Sequence, residues 1–98
     1  MAKVKITVVK KMANADLVEQ YGKQVVLPCD RFTEGQEFVL EKPAKPEDFC
    51  SWAWADIHRD ITILMFGGNL PWIQQPGTGI ACCTDGLRPV VFKLERLD

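Results

Sequence analysis

The chain has 98 residues, 47% of them hydrophobic and 26% charged, with a formal net charge of −1. That length fits one domain spanning residues 1–98, and that composition excludes extended disorder. The near-even charge balance gives no general drive toward nucleic acid or an anionic membrane, so neither is an expected partner.

Met1–Lys11 alternates charged and apolar residues and lacks the continuous apolar stretch of a secretory leader. No apolar run approaches the ~20 residues that span a bilayer. A cytoplasmic location is the expectation. In that setting Cys29, Cys50, Cys82 and Cys83 are thiols or metal ligands rather than a disulfide framework.

Lys3–Lys10 reads as a strand with Val4, Ile6 and Val8 on one face and Lys3, Lys5 and Thr7 on the other. Its lysines suit a solvated face that discourages edge pairing, since no aromatic residues interleave them as in a nucleic-acid surface. Asn14–Tyr21 reads as a short helix, capped by Asn14, with Leu17, Val18 and Tyr21 on one side and Gly22 as a left-handed stop. Val25–Leu27 is a candidate short strand, Thr33–Gln36 a turn and Glu37–Leu40 a strand.

Pro46, Glu47 and Asp48 suit the first turn of a helix running from Glu47 to Phe66 and stopped by Gly67-Gly68. Phe49, Trp52, Ala53, Ile57, Ile61, Leu64 and Met65 recur at helical spacing, and Trp54 and Phe66 widen the apolar stripe. Such a helix buries more than one side, and in a short chain the second side points to another copy, hence a homo-oligomer. The β-rich Ile61–Phe66 run gives an alternative, a buried strand. Asn69–Thr78 is a loop in which Trp72 either lids the core or walls a pocket. Gly79–Cys83 and Arg88–Leu97 read as a β-hairpin across Asp85-Gly86, a pair suited to a tight turn of positive φ. Pro89 belongs at a strand start or edge.

These elements make an α+β fold: a small antiparallel or mixed sheet, of the N-terminal strand plus the C-terminal β-hairpin, packed on one long and one short helix. A partly open barrel is the other arrangement, and the first and last strands are candidate neighbours.

Three function classes fit the residues. The first is a self-associating binding or accessory domain, with Trp52, Trp72, Asp85 and Arg88 around an apolar pocket for a small organic ligand or a partner. There the Arg88 guanidinium holds a carboxylate or carbonyl group. No cofactor is expected in that reading. The second is a metal or thiol protein, with zinc or iron on Cys29, Cys50 and one of Cys82 and Cys83, and His58 or an aspartate completing the set. Adjacent residues of a strand face opposite ways, so Cys82 and Cys83 do not serve one ion together. In its thiol version Cys29 is the nucleophile and Arg31 its cationic neighbour. Buried, unreactive cysteines are the plainer account of the same residues. The third is a small isomerase or lyase with Asp85, Asp56 or His58 as base. Phosphate-binding loops, dinucleotide fingerprints, zinc-protease helices and nucleophile elbows do not occur in the chain.

Pro28-Cys29, Glu34-Gly35-Gln36-Glu37-Phe38, Phe49-Cys50-Ser51-Trp52-Ala53, Gly67-Gly68 with Trp72, and Cys82-Cys83-Thr84-Asp85-Gly86-Leu87-Arg88-Pro89-Val90-Val91-Phe92 carry a resemblance. Together they resemble a family of small uncharacterised bacterial and archaeal proteins of about 90 residues, an ordinary single-domain size. The last motif is the longest and most specific. The resemblance implies a stand-alone domain and brings no activity, cofactor or catalytic residue with it.

Overall fold

The computed structural model describes residues 1–97; Asp98, the last position of the expected domain, lies outside them. In chain order these residues form β1 (Lys3–Lys11), α1 (Ala15–Tyr21), β2 (Glu37–Leu40), α2 (Ser51–Met65), β3 (Thr78–Cys82) and β4 (Val90–Leu97). The strands make one sheet in the order β2-β1-β4-β3, and every pairing is antiparallel. The expected α+β architecture holds, with the first and last strands side by side at the sheet's centre.

Period-two alternation decides which face is covered. Val4, Ile6 and Val8 of β1 and Val90, Phe92 and Leu94 of β4 are fully buried, and α2 lays Ala53, Ile57, Ile61, Leu64 and Met65 over them. At one end the core is aromatic. Phe49 meets Phe38, Phe32 and Phe92 with ring centroids 5.0, 5.1 and 5.7 Å away. The opposite face of the sheet is wet. There Lys5 lies between Glu37 and Glu95, at 3.6 and 3.7 Å, in pairs too exposed to add much stability.

Helix α2 begins at Ser51, four residues later than its first-turn composition predicts. Asp48 turns the chain at φ 64°, and the Phe49 amide bonds back to the Pro46 carbonyl. This turn delivers Phe49 into the aromatic cluster, and its burial outweighs the helix signal of Pro46-Glu47-Asp48. The helix continues through Met65, so Ile61–Phe66 is not a strand. It ends as expected at Gly67, φ 88°: the Gly67 and Gly68 amides donate to the Leu64 and Ile63 carbonyls, a Schellman closure. Arg96 from β4 reinforces that end, donating to the carbonyls of Leu64 and Gly68 at 3.0 and 2.6 Å. The outward side of α2 is mixed: Ser51, His58 and Arg59 are exposed, and so are Trp52 and Phe66.

Further local expectations give way. Asn14 precedes α1, but its side chain makes no cap; its amide group donates instead to the Gly86 carbonyl at 2.6 Å. Gly22 is extended, not left-handed, and glycine fits there because a Cβ would come within 2.6 Å of the Val18 carbonyl oxygen. No residue of α1 is buried. Val25–Leu27 is loop, and the Val26 carbonyl accepts from Arg88 rather than from a strand. The β3–β4 connection is not a two-residue turn: neither Asp85 nor Gly86 has positive φ, and the Asp85 carboxylate folds the chain by accepting the Leu87 amide at 3.0 Å. Trp72 is not a lid. It is 69% exposed, and Leu70, 5% exposed, closes the core in its place.

Candidate functional site

Three separate stretches of chain meet at the N-terminal end of α2 and enclose a cleft of about 560 Å³. The loop before Phe32 brings Cys29, Asp30 and Arg31. The start of α2 brings Cys50, Trp52 and Ala53. The β3–β4 connection brings Cys83, Thr84, Asp85, Gly86 and Arg88. A shallower hollow, bordered by Ser51, Ala55 and Asp56, adjoins it across Trp52 and Thr84.

The connection is held rigidly. Asp85 Oδ2 accepts from Arg88 Nε at 3.1 Å, and Asp85 Oδ1 accepts from the Leu87 and Arg88 amides. Arg88 Nη1 reaches over to the Val26 carbonyl at 3.1 Å, so this guanidinium also ties the loop down. Arg88 Nη2 has no hydrogen-bond partner among the described residues. Thr84 is fastened to α2 through Asp56, and the Asn14 side chain holds Gly86 from the other side.

The charges follow from those contacts. Partial burial works against the Asp85 carboxylate, but the Leu87 amide, the Arg88 side chain and the Arg88 amide outweigh it and hold the carboxyl below its usual value. The bond to Asp85 makes Arg88 keep its proton more tightly than a free guanidinium, against its own burial, and the charges of Asp85, Cys29 and Asp30 add to the effect. A second positive feature is the end of α2. Cys50 occupies the N-cap position, no side chain caps the helix, and its first turn has no acidic residue. The free amides of that turn carry the helix's partial positive charge at the cleft.

Among the residues singled out from sequence, Trp52, Asp85 and Arg88 are brought together here, with Cys29, Cys50 and Cys83 beside them. Trp72 and Cys82 do not line the cleft. Cys82 is exposed and Cys83 buried, as opposite-facing neighbours should be. His58 is also elsewhere, exposed on α2 and set over the Trp54 ring with centroids 5.1 Å apart. Among the described residues, no group of three or more His, Cys, Asp and Glu side chains is arranged to hold a metal ion. Asp56 serves Thr84, and Asp60 is 6% exposed against Arg59. Thr84 and Gly86 had no signal as lining residues; they come to the cleft only through the shape of the connection. No helix among the described residues is long and apolar enough to cross a membrane.

Comparison with protein-family models, with curated proteins and with solved structures found no match to this chain. The reading of the cleft therefore rests on its own geometry.

Proposed function

We propose that this chain is a small binding domain whose cleft takes a small organic ligand, with Arg88 holding a carboxylate or carbonyl group and Trp52 supplying an apolar wall. The observation that carries it is the Arg88 side chain. It is anchored by Asp85 and the Val26 carbonyl, Nη2 is left without a protein partner among the described residues, and the residue borders a cleft of about 560 Å³. That volume lies within the ordinary range for small-molecule sites. A planar, preoriented guanidinium recognises a carboxylate with little loss of side-chain freedom. Titration with benzoate, followed by backbone amide shifts, tests it. Shifts should cluster on Trp52, Gly86 and Arg88, and should be absent with benzyl alcohol. Scattered shifts, or equal shifts from both compounds, would remove the reading.

The same proposal includes self-association. Trp52 and Phe66 are 66% and 67% exposed and sit on nearly the same side of α2, about four turns apart. A second copy is the partner that would cover them, and light scattering showing only monomer at micromolar concentration would exclude it. Four free thiols suit a reducing compartment, so the cytoplasm is the proposed location. The isomerase or lyase alternative gains no support, because Asp85 and Asp56 are both engaged as acceptors of amide hydrogen bonds and His58 lies outside the cleft.

A further inference from the structure

We infer that Cys29 and Cys50 form a dithiol that undergoes thiol–disulfide exchange with small disulfides entering the cleft.

All four cysteines are free. Three of them, from chain segments far apart in sequence, line the same cleft. They are not equivalent. Cys83 is 7% exposed and belongs to the core, where its sulfur accepts the Val90 amide at 3.3 Å. Cys29 and Cys50 are half-buried at the edge of that core, so they are the thiols a molecule in the cleft would meet. Cys82 is exposed but does not border the cleft.

Cys50 packs against the edge of the core and has a second feature. It stands at the N-cap of a 15-residue helix, where Ser, Thr, Asp or Asn would bond the first-turn amides, and it makes no such bond. A thiol at this position therefore forgoes a stabilising contact that serine would supply. Both sulfurs also have positive neighbours. The uncapped amides of α2 adjoin Cys50, and Arg88 borders the same cleft as Cys29. During exchange, negative charge spreads over three sulfurs in line, and fixed positive groups beside them lower the barrier. Asp30 and Asp85 also face the cleft. Asp85 is neutralised by Arg88 and two amides, while Asp30 opposes the reaction.

In the first step the Cys29 thiolate attacks one sulfur of the disulfide. The disulfide's S–S bond breaks, one thiolate leaves, and a mixed disulfide remains on Cys29. In the second step the Cys50 thiolate attacks the Cys29 sulfur and expels the second thiolate. The products are a Cys29–Cys50 disulfide and two small thiols, which take up the two protons the cysteines released. Two electrons pass from the protein to the small disulfide, which is the only oxidant needed.

The inference uses the same cleft as the binding reading but not its carboxylate recognition, so a neutral probe separates the two. Reduced Cys82→Ser protein is mixed with dipyridyl disulfide, and the released thiopyridone is followed by absorbance. Two equivalents per chain should appear in the fast phase, leaving a product about 2 Da lighter than the reduced protein and a peptide in which Cys29 and Cys50 are joined. Adding Cys50→Ser should halve the fast release and trap the pyridyl adduct on Cys29. The inference is overturned by stable adducts on both cysteines without an internal bond, by a link to Cys83 instead, or by release no faster than from the urea-unfolded chain. Benzoate added to the same reaction reports on the other reading alone: protection supports carboxylate binding, and its absence counts against it while leaving the dithiol intact.

Discussion

Asp56, in the second turn of α2, and Thr84, just beyond β3, are joined twice: the Thr84 amide and hydroxyl both donate to Asp56 Oδ2, at 2.8 and 3.0 Å. This double contact fixes the helix against the β3–β4 connection at the rim of the cleft. Replacing Asp56 with Ala removes a charged acceptor and should lower unfolding stability by about 1–2 kcal/mol. Asp56→Asn keeps an acceptor oxygen and should lose less. Urea unfolding of the two variants measures the difference, and an Asp56→Ala loss near zero would show that the contact contributes nothing.

The Asp85 contacts make stability depend on acid. Its folded-state carboxyl titrates below the unfolded one, because the Leu87 and Arg88 amides and the Arg88 side chain outweigh the effect of partial burial. The stabilisation is therefore complete above the unfolded value and is lost as pH falls through the folded value. Arg88 stays charged throughout, since its own value is raised. Urea midpoints measured from neutral pH down into the carboxylate range should fall further for the native chain than for Asp85→Asn. Parallel curves would contradict the assigned contacts.

Two glycines separate strain from space. Gly67 adopts φ 88° at the end of α2, a conformation that opposes any side chain, so Gly67→Ala should cost about 1 kcal/mol. Gly86 lies in the Asp-Gly pair, has no positive φ, and has no atom within 4 Å of where a Cβ would stand. Gly86→Ala should therefore be neutral, or stabilising by up to about 1 kcal/mol through the unfolded chain. Thermal unfolding distinguishes them. A large loss at Gly86 would restore the tight turn that the Asp85 side chain replaces.

Leu70 and Trp72 reverse the ranking that size alone suggests. Leu70 lies over Gly79, where a Cβ would come within 3.1 Å of its Cδ1, and it closes the core beside Leu64. Leu70→Ala should cost about 2–5 kcal/mol. Trp72→Ala, at an exposed site, should change stability by no more than about 0.5 kcal/mol. If the tryptophan variant proves the weaker one in urea, the core is closed differently from this description.

The parts of the fold that can be read from the sequence are those where one period dominates. Alternation in Lys3–Lys10 and Val90–Leu94 and helical spacing from Ala53 to Met65 name the buried faces, because a covered sheet and a covering helix leave no freedom in which residues turn inward. Legibility fails where a side chain competes with a local signal. Pro46-Glu47-Asp48 has the composition of a helix start, but burying Phe49 among three other phenylalanine rings decides the backbone there. Asp85-Gly86 has the composition of a tight turn, but the Asp85 carboxylate provides the acceptor that shapes a longer one. The cleft was half-legible. Asp85 and Arg88 are close in sequence, and their ion pair follows from that closeness. No spacing encodes the meeting of Cys29, Cys50 and Cys83 at one cleft, because it depends on how a loop, a helix start and a strand end pack together. Trp72 is exposed for a related reason: its size suits a core position that Leu70 fills.

The strand order has a bearing on how the chain reaches this state. The two strands at the middle of the sheet, β1 and β4, are the first and last of the described strands in chain order, and Lys3 stands opposite Leu97. Until β4 emerges, β1 lacks its central neighbour, β2 has only β1 to pair with, and β3 has no place to attach. Contacts so distant along the chain slow folding. Val4, Ile6 and Val8 reach their final packing only when Val90, Phe92 and Leu94 arrive beside them, so the chain is most open to mispairing before β4 is in place.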